Sequence, residues 1–353
     1  MDLPLKSTTD ATLAVKEYIE EIFRRGHITI TISLDVQGAF DEAWWPSILH
    51  NLKTLDCPKN LFNLTRSYFS GRTETLHTYS IQTERDITKG CPQGSICGPG
   101  FWNIKYNSLL NLTYGKPTKA TAFSDDLLIA VRAENVQEAD NFTNIEINII
   151  TNWAKGNKIN FNEQKSKAMI AARRKRREIT EVNIYLKSKP IQQVKNIRYL
   201  GITINNKLSF REHIISTTNK YTTLIHTLAK SAKLNWGLKQ EALNIIYVYK
   251  RAILPILLYG APVWVRVMEK TCNRTLYSRV QRLMNIKKAK AYRTTSNDAL
   301  CILTGNAPVE LKTEEVANIY RITKDRQNQL LDHETDHQDW THPADTVIIT
   351  EQK

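Results

Sequence analysis

The stretch Thr121-Ala-Phe-Ser-Asp-Asp-Leu-Leu-Ile-Ala-Val131 sets two adjacent aspartates, Asp125 and Asp126, between short apolar, β-prone runs. This pattern predicts a hairpin with both carboxylates at or beside its turn. Carboxylates crowded in this way repel each other and raise one another's pKa unless a cation neutralises them. An Asp-Asp turn is therefore a natural ligand set for a hard metal ion. Asp is also common in turns for a structural reason, because its side chain bonds local backbone N–H groups. A third carboxylate, a phosphate-handling loop and a basic surface would separate the two readings.

A candidate third carboxylate lies upstream. Ile28-Thr-Ile-Thr-Ile-Ser-Leu34 alternates strictly, which predicts a half-buried strand with Ile28, Ile30, Ile32 and Leu34 on one face and Thr31, Ser33 and Asp35 on the other. Asp is depleted from strands, so Asp35 is either a strand-ending turn former or a functional carboxylate. Lys89-Gly-Cys-Pro-Gln-Gly-Ser-Ile-Cys-Gly-Pro-Gly100 is too rich in Gly and Pro for regular structure at its start, and helical patterning resumes over Phe101 to Leu112. A Gly-rich loop opening a helix can offer backbone N–H groups to a phosphate or a base, or it can be an ordinary connection. The polar segment Gly156 to Lys167 carries Lys165. Between Lys165 and Arg177 there are seven Lys/Arg and no acid, including Arg173, Arg174, Lys175, Arg176 and Arg177. Such a run is either solvated or able to grip a phosphate backbone.

The elements that must position these residues can be read from periodicity. A helix is predicted from Ser7 to Gly26, with Ala11, Val15, Ile19, Ile22 and Phe23 at helical spacing. Phe40 to Lys53 reads as a helix with an aromatic first turn, packing Trp44, Ile48, Leu49 and Leu52. Asn60 to Phe69 is another helix, and Thr75 to Thr83 an edge strand. Asn135 to Trp153 is amphipathic, with Val136, Ala139, Phe142, Ile149 and Trp153 inward. Val182 to Phe210 is β-rich, with turns at Lys189-Pro190 and Asn205-Asn206. From Arg211 helical periodicity dominates, with a kink at Pro255 and helices around Met268 to Met284 and Thr313 to Gln329. A boundary near Phe210 follows, between an α/β domain and a helical region.

Composition narrows the class of partner. The 353 residues carry 49 Lys+Arg against 35 Asp+Glu, a formal net charge of +14. That imbalance favours a polyanion, nucleic acid before membrane. Five cysteines, Cys57, Cys91, Cys97, Cys272 and Cys301, form no C-x-x-C pair, and the odd number suits a reducing compartment better than a disulfide scaffold. Structural zinc is not expected, and His333, His337 and His342 in the tail match zinc spacing poorly. The N-terminus lacks a signal-peptide layout, and the longest apolar run, around Ala252 to Tyr259, contains Pro255 and is too short to span a bilayer. A soluble intracellular protein is expected.

Three features share one order along the chain: Asp35 with Phe40 after it, the Pro92-Gln93-Gly94 loop opening a helix, and Phe123-Ser-Asp-Asp126 in a hairpin. That order resembles the palm of reverse transcriptases, and the wording of the motifs is similar to the non-LTR retrotransposons of arthropods, closest to the R1 type. The similarity runs through Ser33 to Leu49, Gly90 to Ser95, Tyr199-Leu-Gly201, Ala252 to Trp264 and Ala299 to Pro308, and so covers essentially the whole chain. One departure is Ser124, where the family usually has Ala; a hydroxyl in that small-residue slot is expected to be tolerated. The chain also begins at what resembles the end of the fingers. The upstream fingertip segment and the endonuclease domain that such polyproteins carry are absent from it, so the resemblance implies a fragment.

The resemblance implies an α+β right-hand polymerase: partial fingers and palm over residues 1–210, a helical thumb or connection over 211–312, and a C-terminal helix and polar tail over 313–353. It implies RNA-directed DNA polymerase activity, with template RNA, a DNA primer or target and deoxynucleoside triphosphates as partners, in the nucleus on chromosomal DNA. Asp35, Asp125 and Asp126 are the implied catalytic ligands of two Mg²⁺ ions. Phe40 corresponds to the bulky position that crowds the sugar 2′ carbon, Gln93 and Gly94 to the loop along the nucleotide and template, and Lys165 to a lysine facing the pyrophosphate. Tyr199, Leu200 and Gly201 resemble the primer grip. A catalytically incomplete nucleic-acid-binding relic and a maturase-like RNA-binding protein are the alternatives.

Overall fold

The computed structural model describes residues 7–79, 82–92, 94–172, 181–233, 249–289 and 291–332. The chain divides into two compact units, Met1–Tyr221 and Thr222–Lys353. The first is α+β and is organised around strand β1 (Ile28–Val36). β1 lies between β5 (Asp126–Ala133) and β6 (Phe161–Ala171), antiparallel to both, and the five-stranded sheet has the order β4-β5-β1-β6-β9, with β4 at Thr118–Phe123 and β9 at Gln192–Gln193.

Register and strand alternation sort the side chains into two faces. Ile30 pairs with Val131 and Ile170, and Ile32 with Ile129 and Ala168; all six enter one buried core cluster. Residues from helices α2 (Trp45–Thr54), α4 (Gly98–Leu110) and α5 (Val136–Gly156) complete that cluster. The opposite face carries Thr29, Thr31, Ser33 and Asp35. It is not half-solvated as the alternation predicts: Thr29 and Thr31 are fully buried. Helix α1 (Thr8–Arg24) packs against β4, β1 and β5 and buries Ala11, Val15, Ile19 and Ile22 outside the main cluster, which accounts for the cover on the threonine face. Ser7 caps this helix by accepting from the Asp10 N–H at 3.1 Å.

Several local readings need correcting. Phe40 to Trp44 is not helical. The chain leaves β1 through a turn closed by Glu42 N–H donating to Gly38 O at 2.7 Å, and α2 starts only at Trp45, with Pro46 in its first turn. Trp45 rather than Trp44 is therefore the buried indole. Thr75 to Thr83 is not one strand but part of an exposed hairpin of β2 (Thr73–His77) and β3 (Gln82–Asp86), following α3 (Lys59–Phe69). On α5 the inward stripe is Ala139, Thr143, Ile147, Ile150 and Ala154, a clean i, i+4, i+8 face, whereas Phe142 and Trp153 lie half-buried at its margins. Lys189-Pro190 forms strand β8, paired with β7 (Tyr185–Leu186). The turn is instead Lys187-Ser188, both at positive φ (49° and 66°), as a two-residue type I′ loop requires.

A second hairpin, β10 (Asn196–Tyr199) and β11 (Ile202–Asn205), turns through Leu200 and Gly201 at φ 46° and 81°. It leads to α6 (Arg211–Lys233), whose start is built by Asn205 Oδ1 accepting from Ser209 N–H at 2.7 Å. In the second unit the helices Thr271–Ala289, Asn297–Thr304 and Val309–Asp332 pack around Tyr277, Val280, Met284, Leu300 and Val309. Gln281 ties two of them to their connection by donating to Ala307 O at 2.7 Å and accepting from Val309 N–H at 2.9 Å. The segment Arg251–Glu269 is long and apolar enough to cross a membrane by length and composition, but it is half-buried, and Gly260 at φ 64° interrupts it. Near Pro255 the path passes from a π-turn over Tyr249–Ile253 to a short helix at Leu254–Leu257.

Two expectations follow. Ile30→Ala, in the centre of β1, should cost about 2–5 kcal/mol, read as a lowered urea midpoint. Burial, reinforced by Arg198, pushes the His213 imidazole down to about 4 from its usual 6.5. The unfolded chain then takes up a proton near pH 6.5 while the folded one stays neutral, so stability present above pH 6.5 is lost progressively as pH falls towards 4. Urea midpoints measured over that range should fall, and His213→Gln should flatten the dependence.

Candidate active site

The three aspartates meet at one end of the sheet. β4 and β5 form a hairpin whose closing pair is Phe123 and Asp126, leaving Ser124-Asp125 as the two-residue loop. β1 pairs with β5 up to Leu34 opposite Leu127, so one further step of the same register sets Asp35 opposite Asp126. Residues opposite each other on neighbouring strands share a face, and here it is the threonine face. Partial desolvation, then Asp125 and then Asp35, hold the Asp126 carboxyl above the usual carboxylate range. The carboxylates are thus close enough to repel, and a bound cation would relieve that repulsion.

β6 shapes the other side of Asp35. Its ladder with β1 shifts register between Ser33 and Asp35, so that Ser33 pairs with Lys167 but Asp35 with Asn162. The extra residues bulge around Asn162 Oδ1, which accepts from the N–H groups of Gln164 at 3.0 Å and Lys165 at 3.2 Å. This bulge brings Lys165 Nζ to 3.9 Å from Asp35 Oδ2, and Ser166 Oγ accepts from the Asp35 N–H at 3.3 Å while donating to Asn162 O at 2.7 Å. Ser166 is fully buried and was not singled out by the sequence; a small hydroxyl residue in a strand gives no signal without the register.

The loop before α4 closes the site from the side of Phe40. Cys91 N–H donates to Phe40 O and Gly90 N–H to Ala43 O, both at 2.8 Å, which holds the turn after β1 against the start of the loop. Gly94 takes φ 84°, a conformation natural to glycine, and it faces open space. Gly98 sits where a Cβ would meet Ser95 Oγ at 2.7 Å and Pro92 O at 3.1 Å, so the tight entry to α4 requires glycine. Gln93 lies outside the described residues, as do Arg173, Arg174, Lys175, Arg176 and Arg177 and the tail histidines.

Trp102 connects these parts. Its ring packs on Phe40 at 5.7 Å between centroids, and its Nε1–H donates to Ser124 O at 3.0 Å. Ser124 has φ 57°, an uncommon conformation for a residue with a Cβ, costing of order 1–3 kcal/mol. The buried indole therefore fixes both the turn that carries Asp125 and the ring of Phe40. The strained backbone would disfavour Ala there as much as Ser. Below it, Lys105 is buried with its Nζ donating to Glu42 O at 3.1 Å, and burial lowers its pKa to about 8. Tyr199, at the tip of the β10–β11 hairpin, is buried with its hydroxyl 3.5 Å from Thr121 O on β4, and burial first and Asp126 second raise its phenol. Leu200 and Gly201 form the loop beside it.

Among the described residues no three acidic, His or Cys side chains make a group able by itself to hold a metal ion. The donors are carboxylates alone, at the surface, with Lys165 beside Asp35. Such a set suits a hard ion that keeps its waters and shares substrate phosphate oxygens, as Mg²⁺ does, rather than one caged by protein.

Residues 3–204 match the profile of the reverse transcriptase (RNA-dependent DNA polymerase) family. The chain is 30% identical over 291 residues to a 115 kDa protein in the type-1 retrotransposable element R1DM of Drosophila melanogaster, covering 82% of this chain and 28% of that protein. It is 29% identical over 312 residues to a retrovirus-related Pol polyprotein from the type-1 retrotransposable element R1 of Bradysia coprophila, covering 87% and 30%. The chain thus spans under a third of the length of these relatives. Among solved structures, telomerase from Candida albicans in complex with a fragment of telomeric RNA aligns at 12% identity and a TM-score of 0.45, over 82% of this chain and 52% of that one.

Trp102→Phe removes the N–H donor and part of the buried ring that packs on Phe40 and Tyr106. It should destabilise the first unit by about 1–3 kcal/mol in urea titrations, because Ser124 O loses its partner.

Proposed function

The chain belongs to the reverse transcriptase (RNA-dependent DNA polymerase) family, and we propose that it copies the RNA of a non-LTR retrotransposon into DNA by nucleotidyl transfer. The observation that carries this reading is the meeting of Asp35 with Asp125 and Asp126 at one sheet end, flanked by Lys165 and Phe40. In the reaction the primer 3′-hydroxyl attacks the α-phosphorus of a deoxynucleoside triphosphate. A new O–P bond forms and the bond to the pyrophosphate oxygen breaks.

Asp35 and Asp125 would hold the Mg²⁺ ions, with Asp126 as an additional ligand. When bound, such a pair of ions would lower the pKa of the attacking hydroxyl and stabilise the departing charge. Lys165 contributes a positive charge beside Asp35, suited to the pyrophosphate oxygens, and the bulge around Asn162 sets its place. Phe40, braced by Trp102, presents an aromatic wall at the sugar, where a ribose 2′-hydroxyl would clash. Gln93 and Gly94 are assigned to the nucleotide and template, with Gly94 permitting close backbone approach. Tyr199, Leu200 and Gly201 are assigned to the primer end, since the Tyr199 hydroxyl anchors their turn to the strand that leads into the Asp pair. Arg173 to Arg177 supply phosphate contacts, consistent with the net charge of +14. Template RNA, a DNA primer or target, and action on chromosomal DNA in the nucleus complete the proposal.

RNA-templated incorporation of deoxynucleotides tests it directly. Asp125→Asn should reduce Mg²⁺-dependent extension by ~10³-fold or more while leaving salt-sensitive RNA binding nearly intact, and retained extension would sink the ligand assignment. Phe40→Ala should raise ribonucleotide incorporation relative to deoxynucleotide by about tenfold or more, measured as a ratio of kcat/KM values.

A further inference from the structure

A half-open cavity of about 450 Å³ lies beside the end of β1, lined in part by Glu42, Thr151, Lys155, Phe161 and Lys187, with Lys158 at its rim. Its charged lining groups are Glu42 and three lysines. The Glu42 carboxylate is already neutralised by Lys89 at 2.6 Å. Lys155 and Lys158 are exposed and form no ion pair among the described residues. Lys187 reaches the wall of the cavity, its Nζ donating to Phe161 O at 3.3 Å.

The fold brings these groups together from three places in the chain. Thr151 and Lys155 stand one turn apart on α5 and share a face. Lys158 follows the end of that helix at φ 54°, with its ammonium 6.0 Å from the Trp44 ring centroid. Lys187 comes from the turn between β7 and β8. Thr151, about nine-tenths buried, also lines the cavity. A concave surface bearing ammonium groups of one sign focuses a positive potential, and a bound anion relieves their mutual repulsion. The volume lies in the range of small-ligand clefts, enough for a nucleotide unit and too small for a duplex.

The cavity is separate from the aspartate cluster although it borders the same strand end. Phe161 pairs with Val36 on the core face, whereas Asn162 pairs with Asp35 on the threonine face. A strand held at Phe161 is therefore across the sheet from the carboxylates. We propose that this lysine-lined cavity is a second nucleic-acid contact, binding backbone phosphates of a single strand away from the reacting end. The inference rests on the polymerase reading for the nature of the polyanion.

The test is fluorescence anisotropy of a labelled single-stranded RNA over a KCl series, with the full chain and with the triple variant Lys155→Gln, Lys158→Gln, Lys187→Gln. Each lost phosphate contact should make the slope of log K against log salt shallower by about 0.7, so the triple variant should lose about 2. An unchanged slope in a triple variant with an unchanged melting curve overturns the proposal. So does lysine-dependent binding of inorganic phosphate, in a parallel titration, without any change in the RNA slope; that result describes a small-anion site. If the triple variant fails to fold, Lys155→Gln alone, at an exposed position, should cost about 0.7 of slope, and no change again overturns it. A lysine-dependent slope in a chain that extends no primer would retire the polymerase reading and leave the cavity assignment standing.

Discussion

Like charges at one strand end are the constraint on which the first unit depends. Asp35 is set opposite Asp126, whose carboxyl is held above the usual range by partial desolvation first, then by Asp125 and Asp35. What holds them is β1, paired on both edges and buried on both faces: a one-residue slip against β5 would turn the whole isoleucine face of the core towards the opposite side. Hydrophobic register thus enforces an electrostatic arrangement that the carboxylates alone would not adopt.

A second layer of the same logic acts on the loop. Ser124 stands in a conformation that its Cβ disfavours, and a single buried indole, Trp102, holds its carbonyl and braces Phe40. The residue proposed to read the sugar and the residue proposed to bind metal are therefore set by one side chain on α4. The bulge in β6 does for Lys165 and the Asp35 backbone what Trp102 does for the turn. In each case the device is a departure from regular structure, stabilised by a buried polar contact.

Much of this arrangement was legible in the sequence. Alternation over Ile28 to Leu34 marked β1, and Asp-Asp between apolar runs marked the hairpin with its carboxylates at the turn. Tyr199-Leu-Gly201 falls on a tight loop, as a motif containing Gly does when positive φ is needed. Phe40 to Trp44 has aromatic residues at helical spacing, while Gly38 and the hydrogen bonds from Gly90 and Cys91 impose a turn. On α5 the large rings of Phe142 and Trp153 drew the inward face away from the Ile147 and Ile150 stripe that is actually buried.

The sequence by itself determined which residue types are present for the chemistry and the local elements that carry them, because strand alternation and turn residues are short-range effects. It determined the family as well, through motifs in a shared order. Only the tertiary structure decided that Asp35 faces Asp126, that Ser166 and Trp102 support them, and that lysines from α5 and from the β7–β8 turn share a cavity. Those relations depend on strand register and on packing between segments up to about 130 residues apart, and no local pattern encodes a distance of that kind.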